Sequence, residues 1–81
     1  MYDYSQNAPY ILITFANFSQ ALQMEKACHK AGFPGLIIPT PAEISASCTM
    51  SWLAPYQYKE NLFALLKNKK LDYENTLQIY R

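Results

Sequence analysis

The sequence predicts an α+β fold: a ferredoxin-like β-α-β-β-α-β sandwich, with a four-stranded antiparallel sheet carrying two helices on one face. Three observations predict it. Four short β-prone runs alternate with two stretches of helical periodicity, the link between the second and third runs has no helical pattern, and 81 residues leave room for one core only. With two right-handed crossovers and a direct connection in the middle, that order most simply closes as a split βαβ pair.

Residues 1–9 are polar and aperiodic and read as a flexible leader, with 10–81 as a single domain. Tyr10 to Phe15 is apolar and β-branched without alternation, the pattern of a central strand buried on both faces. Asn17 or Ser19 can cap the helix that follows, in which Ala21, Met24, Cys28 and Ala31 recur at helical spacing. Gly32 and Pro34 stop it. Gly35 to Ile38 is a second strand and Thr49 to Leu53 a third, with Ala54 and Pro55 closing it. Pro55 suits the first turn of a second helix, whose stripe is Tyr58, Leu62, Leu65 and Leu66. Glu60 early and Lys67 and Lys69 late agree with the helix dipole. Tyr73 to Tyr80 alternates as a last strand with one wet face.

Composition removes several classes of function. The formal charge of +1 offers no basic stripe for a nucleic acid, so none is expected as a partner. No apolar run approaches the roughly 20 residues that span a bilayer, and residues 1–7 lack the charged and apolar regions of an export signal. No membrane partner is expected, and the cytoplasm is the expected compartment. Only 16% of residues are charged, against about 25% in a typical domain, which suggests that a partner covers some of the surface. In a reducing compartment the two cysteines are expected to stay free. Cys28, His29 and Cys48 are too few to close a four-ligand zinc site, so neither metal nor cofactor is expected.

The stretch from Pro39 to Trp52 concentrates the chemistry. Two prolines deny it a helical start, and Ser45 and Ser47 bracket Ala46 just before Cys48. In the predicted topology the first two strands are parallel, so this loop lies at the carboxyl end of the first, where the first helix begins. Cys48, Asn17 and Ser19 become expected neighbours, with the thiol near free N–H groups and the positive end of a helix dipole, a setting that favours thiolate. The second helix ends on the same side and brings Lys67, Lys69 and Lys70 into reach. The competing reading makes Cys48 a small packed strand residue, since free cysteine is among the most buried residue types. Cys28 falls in the apolar helical stripe and reads as core, and His29 as an exposed side chain. Glu43 has no second carboxylate beside it, which leaves acid–base catalysis without a pair.

Tyr10-Ile-Leu-Ile-Thr-Phe, Ala21-Leu-Gln-Met-Glu-Lys-Ala-Cys, Ala31-Gly-Phe-Pro-Gly and Pro39-Thr-Pro-Ala-Glu-Ile-Ser-Ala-Ser-Cys together resemble the short bacterial domains called selenium/sulfur (Se/S) carrier protein-like. The likeness runs from Tyr10 to about Leu77. It implies a relay in which Cys48 carries a persulfide or selenopersulfide from a donor, such as a cysteine desulfurase, to an acceptor protein, with Glu43, Ser45 and Ser47 orienting or solvating the sulfur. Where that family usually has Gly after the cysteine, this chain has Thr49, a β-branched residue that favours plain strand geometry.

The leading expectation is therefore a non-enzymatic thiol carrier. The alternative is an interaction module, most simply a homodimer through the sheet face that the helices leave open, with no thiol chemistry. A thiol-dependent enzyme ranks last, because His29 is the sole candidate base.

Overall fold

The computed structural model describes residues 8–44 and 50–80. The elements run β1 (Pro9–Phe15), α1 (Phe18–Ala31), β2 (Leu36–Pro39), β3 (Met50–Pro55), a 3₁₀ turn (Tyr56–Tyr58), α2 (Lys59–Lys69) and β4 (Asn75–Tyr80). One antiparallel sheet has the order β2-β3-β1-β4, the ferredoxin-like arrangement that the element order predicts. Among the described residues no helix is long and apolar enough to cross a membrane.

Register places the functional end of the sheet. Phe15 and Pro39 both pair with Met50, and Thr14 pairs with Asn75. The ends of β1 and β2 and the starts of β3 and β4 thus share one edge, and α1 starts there too. At its start, Asn17 is extended and its Oδ1 accepts from the Gln20 N–H at 3.0 Å, while the Gln20 side chain accepts from the Ala16 N–H at 3.0 Å. This reciprocal arrangement is close to a capping box, satisfying one donor of the first turn and one just before the cap. Gly32 ends α1 at φ 79, and the Phe33 N–H donates to the Cys28 carbonyl at 2.9 Å. The same closure ends α2, with Lys70 at φ 53 and the Leu71 N–H donating to Leu66.

The core has two layers. Ile11, Ile13, Phe15, Trp52 and Ala54 face the helices and pack with Ala21, Met24, Cys28, Leu62 and Leu66. Ala31, expected in the same stripe, is exposed. On the other face Tyr10, Leu12 and Leu53 form a second buried cluster, flanked by Ala8, Ile38, Ile44, Leu77 and Ile79. Tyr10 and Leu12 are only 1% and 0% exposed. The expectation of an open apolar sheet face is therefore overturned along β1. Ile44, from the turn that follows β2, is one of the groups that close it.

Pro55 closes the third strand as expected, but its second expected role, at the first turn of α2, is corrected. It ends β3 opposite Tyr10 rather than opening α2, and the 3₁₀ turn intervenes before the helix. Its φ of −58 and ψ of 139 are extended values that a ring-locked residue adopts without strain at a strand end. The two sheet edges differ. β2 is four residues long and ends in Pro39, whereas β4 has six residues and no proline.

Candidate functional site

Among the expected site residues, Cys48, Ser45 and Ser47 lie outside the described residues, as does Thr49. The chain on either side of them is described. After Pro39, the Thr40 hydroxyl shares a hydrogen bond with the Ser51 hydroxyl, whose residue is fully buried. The turn then closes with the Ile44 N–H donating to the Pro41 carbonyl at 3.0 Å. Ile44 seats on the second cluster, so the turn folds back across the sheet, away from the helices. Met50, two positions after Cys48 in the sequence, opens β3 opposite Phe15.

Beside this turn is a cavity of about 480 Å³ lined by Ile38, Pro39, Pro41, Glu43, Ile44, Ile79 and Tyr80. Its lining is mostly apolar, Glu43 and Tyr80 being the residues with polar side chains, and Glu43 itself is exposed. The volume falls in the lower half of the range typical of small-ligand pockets, about 300–1,000 Å³. The family resemblance points to Glu43 but not to the cavity, which needs the return of the turn over the sheet. A lone Ile44 within an otherwise polar stretch is the available signal of that return.

The other expected residues are carried by the two helices and their ends. Asn17 lies at the start of α1, its carboxamide engaged in capping, and Ser19 is an exposed residue in the first turn. The choice between Asn17 and Ser19 as cap resolves to Asn17. An Asn17→Ala substitution should lower stability by about 1 kcal/mol, read from the midpoint of urea denaturation. Lys67, Lys69 and Lys70 are exposed, and Lys69 is turned toward α1, where it lines a different cavity with Lys26 and Lys30. That places it in the helix layer, on the opposite side of the sheet from the Pro41–Ile44 turn.

Cys28 is settled by its surroundings. It is 0% exposed and free, so no disulfide joins the two cysteines of the chain. Burial pushes its thiol up from 9.0 to about 12, because the apolar core disfavours the charged form. At neutral pH it is inert as a nucleophile. His29, next in the chain, is exposed as expected.

The sequence model of the family described as "Putative Se/S carrier protein-like" matches residues 10–78, nearly the whole chain. The chain belongs to this family. No curated protein and no solved structure matches it. As in the segments that carry the family resemblance, the β1 run, the α1 stripe, the Gly32–Gly35 stop and the Pro39–Ile44 turn are each framework elements of this Se/S carrier-like domain. Cys28 belongs to the buried part of that framework. The other cysteine follows the turn in sequence.

Proposed function

We propose that this domain is a thiol carrier that takes up sulfur or selenium on Cys48 from a donor protein and hands it to an acceptor. The observation that carries the reading is the elimination of Cys28. The chain has two cysteines, and one is sealed in the core with its thiol held protonated. Membership in the Se/S carrier-like family supports the class of cargo, and the anchored turn before Ser45 gives the segment a fixed origin at one edge of the sheet.

In the proposed loading step the Cys48 thiolate attacks the outer sulfur of a donor persulfide, R–S–SH. The sulfur–sulfur bond of the donor breaks, a new one forms to Cys48, and the donor leaves as the thiolate R–S⁻. One sulfur–sulfur bond replaces another, so no external oxidant or reductant is needed. Glu43, Ser45 and Ser47 are proposed to solvate and orient the cargo, and a cysteine desulfurase is the proposed class of donor.

The test combines alkylation and loading on the native protein, both read by mass spectrometry. Cys48 should alkylate with an apparent pKa below the model-thiol value of about 8.5, while Cys28 stays protected across the same range. Incubation with a cysteine desulfurase and cysteine should add the mass of one sulfur to the peptide containing Cys48. The Cys48→Ala variant should fold normally and take up none. Equal inertness of both thiols, or loading that survives Cys48→Ala, would overturn the carrier reading.

A further inference from the structure

On the helix layer, Gln23, Lys26, Ala27 and Lys30 of α1 face Lys69 and Leu71 across a cavity of about 310 Å³. The protein has six lysines, and three of them wall this one groove with no acidic residue among the lining. We propose that the groove between α1 and α2 docks an acidic amphipathic helix of a partner protein. Lys26 and Lys30 are one turn apart on α1, about 6 Å along the axis. A partner helix with carboxylates four residues apart presents negative charges at the same interval, while Lys69 flanks it from the other wall. Ala27 and Leu71 give the groove an apolar floor on which a side chain between those carboxylates can sit, the arrangement of a helix laid into a groove.

A small oxyanion is the poorer match. Lysine ammonium groups are separate point charges on flexible stems, and here they come from two helices and lack the planar fork that grips an oxyanion at two points. Three exposed charges facing a complementary partner chiefly speed and orient encounter, with a modest gain in affinity from each. The docking is independent of Cys48, so it stands or falls separately from the carrier reading.

The test is a titration of ¹⁵N-labelled protein with a synthetic helical peptide carrying Glu at positions four apart and Leu between them. Amide shifts should concentrate at Gln23, Lys26, Ala27, Lys30, Lys69 and Leu71. Combining Lys26→Gln, Lys30→Gln and Lys69→Gln should weaken binding about tenfold. Lys59→Gln should leave it unchanged, since Lys59 lies over the Tyr56 and Phe63 rings at 5.4 and 5.8 Å, away from the groove. Shifts spread over the surface, or equal binding by the triple variant, would overturn the proposal. So would inorganic phosphate that moves the same amides at lower concentration than the peptide, which would make the groove a small-anion site.

Discussion

Replacing Gly35 with alanine is expected to destabilise the protein by about 2–3 kcal/mol, lowering the melting temperature by roughly 10–20 °C. Gly35 lies directly before β2, and the new Cβ would run into the fused ring of Trp52, 2.6 Å from Nε1 and closer still to Cε2 and Cζ2. The ring has little room to yield. Trp52 is 0% exposed, held in β3 between Ile13 and Ile37, and surrounded by the larger core cluster. Its Nε1 has no hydrogen-bond partner among the described residues, so the indole is there for its volume. Trp52 is the single tryptophan, and its fluorescence reports the unfolding midpoint directly. In a Trp52→Phe background, followed by circular dichroism, the added methyl should cost less than about 1 kcal/mol, because the ring atoms that it strikes are gone. A full penalty in that background would refute the steric account.

Leu12→Ala should cost about 3 kcal/mol in the same assay. Leu12 faces away from the helices and pairs with Leu53 and Leu77 on its two sides. On an open sheet face its truncation would be mild, within about 1 kcal/mol. Its complete burial with Tyr10 and Leu53, and the seating of Ile44 on that cluster, place it instead in a second core. A small effect would restore the open face along β1.

How far the sequence reaches depends on how local the deciding physics is. The limits of α1 are fixed by Asn17 and Gly32, whose capping and left-handed preferences act over a few residues, and both are where the pattern put them. The uninterrupted apolar run of β1 implied burial on both faces, and the strand has it. What covers the second face was not legible, because Ile44 approaches residues more than thirty positions earlier through the course of a single turn. Pro55 supported two roles, of which the structure keeps one, for a related reason. Its ring fits a helix start and a strand end equally well, and the pairing with Tyr10 decides between them. For the site, the inertness of Cys28 could be read from its helical phase, whereas Glu43 acquired its cavity only through folding. Asn17 takes the capping role that its position before the α1 pattern implies, and its carboxamide accepts from the Gln20 N–H.

The unequal edges of the sheet bear on how the protein behaves at high concentration. Among the described residues the sheet's two edges are β2 and β4, where a fifth strand could add. β2 offers four residues and closes with a proline, which has no N–H to donate, so it is a poor template for a foreign strand. β4 is the reverse: Asn-Thr-Leu-Gln-Ile-Tyr has high β-propensity, no charge and no proline, the composition that favours strand addition and fibril growth. Crowding therefore threatens this molecule from one side. A charged residue at Gln78, exposed on β4, is the natural place to guard it.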